Sequence, residues 1–276
     1  MAESMQPSGG AGKILGKIPG AEPSAKIDAW WGLVIFTVLV TAGMVLLRPD
    51  PFRRLLVFVS DGIAISIELT VISFILTLVV GLIGGLGRLS KNRIIFGIST
   101  VYVEVIRGIP LLVQLLWWYF AMPVVIQSLG RALNYEPLIH YQANGFLMAV
   151  LGFVVCYGAY MSEIYRAGIQ SIPRGQMEAA RSLGMTYIQA MQYVVLPQAI
   201  RVILPPLGNE FIALLKDSSL VSVVAVADLT RRSREFMSTN FIPIETWFFT
   251  ALLYLIMTLL SARVVNFIEH KTRIER

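Results

Sequence analysis

The chain has 276 residues, 56% of them hydrophobic and 14% charged, with a net charge of +6. This is too apolar for an ordinary soluble domain. Its apolar runs are continuous rather than alternating, which points to membrane-spanning helices and away from a closed β-barrel. Basic residues collect in the cytoplasmic loops of membrane proteins, so the charge calls for no nucleic-acid partner.

Residues 1–29 hold Gly, Pro, Ser and Lys without periodicity and read as a flexible cytoplasmic tail. Trp30–Leu47 is the first apolar run of spanning length. A long tail precedes it and no small-residue cleavage site follows, so a retained helix is expected rather than a signal peptide. The second span is expected over 63–86, ending in Gly81, Gly84, Gly85 and Gly87, small residues that let helices approach closely. After the polar turn 88–93, the mixed segment 94–108 either lies along the interface or extends the next helix. The third span is expected over 109–126, anchored by Trp117, Trp118 and Tyr119, and the fourth over 143–161. A fifth apolar segment, 204–229, contains Lys216 and Asp217, and the last span covers 247–267.

Six spans would put both chain ends on one side. With the amino terminus inside, fifteen Lys and Arg fall in inner segments and seven in outer ones, with Lys216 inside a span. The bias places 174–197 in the cytoplasm. The outer seven are Arg48, Arg53, Arg54, Arg131, Arg231, Arg232 and Arg234.

Segment 174–197 is a charged, helix-forming island between spans four and five. Gln176 to Leu183 contains no β-branched residue, and Glu178 stands four positions after Arg174, an ion-pair spacing on a helix. Gly184 falls where a helix end needs left-handed geometry. A second helix is expected from Thr186, with Tyr187, Ile188, Met191, Val194 and Val195 on one stripe, until Pro197 stops or kinks it. Such a hairpin either covers helix ends or forms a knob for a partner's groove.

Charges in apolar runs are costly, about 2.5–3.5 kcal/mol each on insertion scales. Lys216 and Asp217 are the clearest case, followed by the hydroxyls of Ser218 and Ser219. Neighbours on a helix point about 100° apart, so each should meet a partner elsewhere, either on another helix or on a substrate. The spacings Glu104–Arg107 and Glu163–Arg166 suit bracing pairs; Glu68 and Glu210, near opposite ends of their spans, either line the path or, more simply, sit at an interface. Pro205 and Pro206 are expected near the start of the fifth helix, setting its direction. The single cysteine, Cys156, permits no intrachain disulfide, and His140 and His270 are too far apart in sequence for a zinc motif, so no metal is expected. No phosphate-binding loop is present; Gly12-Lys13 and Gly16-Lys17 lack its pattern.

Several phrases resemble the inner-membrane permeases of ABC transporters, in the branch that takes up polar amino acids. They include TVISFILTLVVGLIGGLGRLSKN, YVEVIRGIPLLVQLLWWYF, EAARSLGM and NEFIALLKDSSL. The likeness covers roughly residues 60–270. It implies an all-α polytopic transmembrane bundle, a five-helix importer core within 59–276, with residues 30–58 as an extra first helix and outer loop. It makes the region around 166–203 a coupling loop in which Glu178, Ala179, Ala180, Gly184, Leu196 and Pro197 dock onto a separate ATPase. It also implies a solute-binding protein, a second permease copy or a sister permease, and ATP with magnesium on the ATPase and no cofactor on this chain. The KDSSL string (Lys216, Asp217, Ser218, Ser219) resembles the family's KDTSL and is the candidate substrate path. The location implied is the bacterial inner membrane. An ion-coupled secondary transporter, with Lys216 and Asp217 carrying the coupling, is the alternative.

Overall fold

A computed structural model of the chain describes residues 29–272, so the tail expected over 1–29 lies outside the described residues except for Ala29, which begins the first helix. Two helices open the fold, α1 (Ala29–Leu47) and α2 (Pro49–Arg88). At about 1.5 Å per residue the 40 residues of α2 extend about 60 Å, twice the hydrocarbon thickness of a bilayer. The segment expected as an outer loop, 48–58, is mostly the start of this helix. Glu68, expected near an interface, stands at its middle and is exposed.

The mixed segment forms its own helix, α3 (Arg93–Gly108), capped by Asn92 Oδ1, which accepts from the amides of Ile94 and Ile95. Pro110 ends it by forcing Ile109 into extended geometry. The break frees carbonyls that have no water to bond in a membrane. Gln114 Nε2 supplies them, donating to Ile106 O and Ile109 O at 2.9 Å each. The chain continues through α4 (Leu111–Leu116), a wide turn at Trp117–Ala121 and α5 (Met122–Leu133). In that turn the Met122 amide reaches back five residues to Trp117 O. This loosening seats Pro123, which has no amide and would crowd the carbonyl four residues back. A short helix α6 (Glu136–Ile139) leads to α7 (Gly145–Gln170), capped by Asn144.

Helix α7 packs along α2 through small residues. A Cβ on Gly81 would stand 2.5 Å from Met161 Cβ, and one on Gly85 would stand 2.8 Å from Tyr165 Cβ. The two helix backbones can therefore meet here only through glycine.

After α8 (Arg174–Ser182) comes α9 (Tyr187–Ala190), a second wide turn at Met191–Val195, and α10 (Leu196–Asp217). The Leu196 amide bonds Met191 O, five residues back, and Pro197 enters an uninterrupted helix. Of the two outcomes expected at Pro197, a stop or a kink, the stop is absent, because the wide turn just before it removes the clash that would have caused it. Pro205 and Pro206 lie inside α10, not at its start.

The segment expected as a fifth span, 204–229, is not one helix. It ends α10, passes through a 3-10 turn at Ser218–Val223 and a left-handed Ala225, and begins α11 (Leu229–Asn240), capped by Asp228. Helix α12 (Pro243–Thr272) closes the fold. Among the described residues five helices are long and apolar enough to cross a membrane, over Trp30–Leu47, Pro49–Arg88, Leu111–Leu133, Gly145–Gln170 and Pro243–Glu269. The charges Arg201, Glu210, Lys216 and Asp217 keep α10 out of that group.

Three apolar cores hold these elements. One joins α2, α4, α7 and α10 through Leu69, Leu115, Phe153 and Leu214. A second joins α2, α11 and α12 through Leu55, Val59, Phe236 and Phe249, with Met44 and Val45 of α1 against it. The third, around Met161, Ala199 and Ile203, roots the 174–197 hairpin.

Candidate functional site: a hairpin and a polar cluster

The hairpin is built by local sequence. Helix α8 follows Pro173 and ends in a paired closure, with the Gly184 amide on Arg181 O at 3.0 Å and the Met185 amide on Ala180 O at 3.3 Å. This closure requires a left-handed residue, and Gly184 has φ +87°. Thr186 then caps α9 reciprocally with Gln189: Thr186 Oγ1 accepts from the Gln189 amide and Gln189 Oε1 accepts from the Thr186 amide. Gln198 Nε2 bridges the two arms, donating to Val194 O at 2.8 Å and to Gln176 Oε1 at 3.4 Å.

Of the residues predicted here, Glu178, Ala179, Gly184 and Pro197 are exposed, Leu196 is half-buried and Ala180 is buried. No ion pair joins Arg174 to Glu178 among the described residues, so α8 rests on its termini and on packing. Around the exposed tip Leu183 is 82% and Ile188 73% accessible, with Tyr187 and Tyr193 also open. An apolar patch of this kind, set among charges, is a feature of interaction surfaces.

Beneath the hairpin an ion-pair network ties α2, α3 and α7. Arg88 donates to Glu163 Oε2 at 2.6 Å and reaches Glu104 at 3.4 Å. Arg166 closes on Glu163 as its spacing predicts, with Nε 3.0 Å from Oε2. The expected Glu104–Arg107 pair is not made. Glu104 turns to Arg88, and the Arg107 guanidinium lies over the Tyr160 ring, 5.1 Å from its centroid.

That displacement puts Arg107 in a second group of polar side chains. Tyr157 donates to Asp217 Oδ2 at 2.7 Å. Glu210 lies on the same helix as Asp217. Glu210 and Asp217 are seven residues apart on α10, two turns on one face, about 10 Å along the axis. The cluster therefore brings Asp217 of α10 and Arg107 of α3 onto two neighbouring tyrosines of α7, Tyr157 and Tyr160, with Glu210 two turns from Asp217. It can meet an ammonium and a carboxylate on one small molecule.

The four residues of the KDSSL string part company. Asp217 belongs to the cluster. Lys216 is exposed on another side of α10. Ser218 Oγ donates to Leu215 O and Ser219 Oγ to Lys216 O, each at 2.8 Å, so both hydroxyls finish the helix end. The sequence offered Arg107 only as a brace for Glu104, preferred an interface for Glu210 over a place on the path, and did not single out Tyr157 or Tyr160. The seven-residue spacing of Glu210 and Asp217 was the available signal.

An inner hairpin rooted on transmembrane helices and a charged cluster within them define a membrane transport component. A model of the family described as binding-protein-dependent transport system inner membrane component matches residues 77–274, and the chain belongs to that family. It is the membrane-spanning permease component of an ABC importer, a protein of the bacterial inner membrane. It is 35% identical over 214 residues to the glutamine transport system permease protein GlnP of Escherichia coli K12, covering 78% of this chain and 92% of that one. It is 40% identical over 213 residues to the L-cystine transport system permease protein TcyB of Bacillus subtilis, covering 77% and 85%. Among solved structures it is similar to an amino acid ABC transporter crystallised with histidines, at a TM-score of 0.70 and 37% identity over 82% of this chain and 97% of that one. The methionine ABC transporter MetNI, at a TM-score of 0.64 and 19% identity over 79% and 97%, shares the fold.

Proposed function

We propose that this permease moves polar amino acids, delivered by a solute-binding protein, through a path lined by the Arg107–Tyr157–Glu210–Asp217 cluster, together with a second copy or a sister permease. The observation that carries this reading is the cluster: Asp217 and Arg107, of opposite charge, are held on neighbouring tyrosines of one apolar helix, where isolated charges are disfavoured. Permeases that it resembles are named for the transport of glutamine, L-cystine and arginine. Work comes from a separate ATPase, which holds ATP and magnesium. Glu178, Ala179, Ala180, Gly184, Leu196 and Pro197 form the knob that the ATPase grips, and its motion tilts α7 and α10 about the apolar root of the hairpin. Lys216, Ser218 and Ser219 support the path at the end of α10.

Reconstituted uptake with the cognate ATPase and binding protein tests both halves. Glu178→Lys with Gly184→Leu should abolish ATP-dependent uptake while leaving solute binding intact. Asp217→Asn should reduce uptake of a cationic amino acid by tenfold or more beyond its effect on a neutral one, a difference of about 1.4 kcal/mol in transition-state binding. Uptake that survives the hairpin change, or an Asp217→Asn loss equal for every solute, contradicts the corresponding half.

A further inference from the structure

The charge count assigns seven arginines to outer segments, against the inside preference that the remaining charges follow. Three of them, Arg48, Arg53 and Arg54, gather at the start of α2 with Asp50 as the nearby acid, a local charge of +2 (three minus one). Arg53 and Arg54 rim a groove of about 530 Å³ between α2 and α11. Its apolar wall is Val57, Phe58 and Phe236. Arg54 reaches Asp50 at 3.3 Å and Asn240 at 3.4 Å, while Arg53 has no protein partner among the described residues.

Three observations say what fills this groove. The 18-residue apolar span of α1 is about 27 Å long, close to the hydrocarbon thickness, and ends at Leu47, so the arginines begin where the hydrocarbon stops. The groove wall and the helix ends next to it in the chain carry large apolar side chains with little protein cover: Val57 is 70% accessible, Leu47 at the end of α1 85%, and Phe241 just after α11 87%. Water would leave that surface unsatisfied, whereas acyl chains cover it. Arginines at such a boundary extend to meet phosphate, and guanidinium pairs grip it strongly.

We propose that the groove binds an anionic phospholipid of the outer leaflet, with its phosphate on Arg53 and Arg54 and an acyl stem against Val57, Phe58 and Phe236. The site ties the lipid to the junction of α2 and α11 and so couples the outer end of the bundle to membrane composition.

The test uses the full chain, purified in detergent and stripped of lipid. Phosphatidylglycerol, phosphatidylcholine and inorganic phosphate are added in turn, and retained lipid is read by native mass spectrometry. Phosphatidylglycerol should be retained at least tenfold better than phosphatidylcholine, at roughly one charge contact per arginine. Arg53→Gln with Arg54→Gln should erase that preference, and Arg53→Lys with Arg54→Lys should keep most of it. If the glutamine variant unfolds, Val57→Asp, on the exposed wall, replaces it and should give the same loss. Equal retention of the two lipids, an unchanged preference in the glutamine or Val57→Asp variant, or displacement of the lipid by inorganic phosphate at equal concentration would each overturn the proposal.

Discussion

Replacing Gly184 by alanine isolates the backbone geometry of the hairpin. Its φ is +87°, and a Cβ built on it meets nothing within 4 Å inside the chain. Alanine therefore causes no internal clash, and its cost is conformational, about 1–2 kcal/mol for an L residue held left-handed. At 1.4 kcal/mol per factor of ten, the docking-competent hairpin becomes about five- to thirtyfold less populated. The dissociation constant for the ATPase should rise by that factor, while the melting temperature of the membrane bundle stays unchanged. Gly175→Ala is the internal control. Gly175 lies in α8 with φ outside the left-handed region and open space around it, so alanine should stabilise the helix by about 0.5–1 kcal/mol and leave docking intact or tighter. Gly184→Asn separates strain from obstruction, because asparagine is bulkier than alanine yet tolerates left-handed geometry. Docking should rank glycine, then asparagine, then alanine. If asparagine docks worse than alanine, the added side chain obstructs the partner and the conformational reasoning fails. Equal damage from Gly175→Ala would fail it too.

Two further outcomes follow from the packing and from the charges on the outer side. Gly81→Ala drives a Cβ to 2.5 Å from Met161 Cβ, and the overpacking should destabilise the α2–α7 contact by about 1–3 kcal/mol. Because the clash is with Cβ itself, a double-mutant cycle on thermal stability should show favourable coupling with Met161→Gly and almost none with Met161→Ala; the reverse order would refute the contact. On α11, burial alone would raise the Glu235 carboxyl pKa. The hydrogen bonds from Arg232 and Arg231, with their charges, outweigh that and hold it below the ordinary value. A carboxyl with a lowered folded pKa contributes stability above its unfolded pKa of about 4.3 and loses it as pH falls through the folded value. The melting temperature should therefore fall between pH 5 and 3, and Glu235→Gln should flatten that fall while lowering the plateau at neutral pH. An identical acid limb in the variant would show that the carboxylate carries no linkage.

Sequence patterns acting over a few residues were legible without coordinates. Gly184 sits at a helix end and Thr186 at a helix start because each choice satisfies backbone groups within five positions. The spans around Trp30–Leu47 and in α7 follow from apolar run length, and Glu163–Arg166 from helical spacing. Pro197, Pro123 and Glu104 were not legible in the same way. A proline predicts a break only while the helix keeps its ordinary pitch, and the wide turns before Pro123 and Pro197 change the pitch and let the helix run on. Glu104 has a partner at the right spacing on its own helix, yet Arg88 on α2 wins it, which frees Arg107 to lie on Tyr160. The sequence by itself determined that this is a helical membrane protein with an inner hairpin, because those properties come from local composition and hydrogen bonding. Only the tertiary structure decided that Asp217 meets Tyr157 and Arg107 meets Tyr160 while Lys216 turns away. Neighbours in a chain point in different directions on a helix, and which of them meets a partner depends on how distant helices pack.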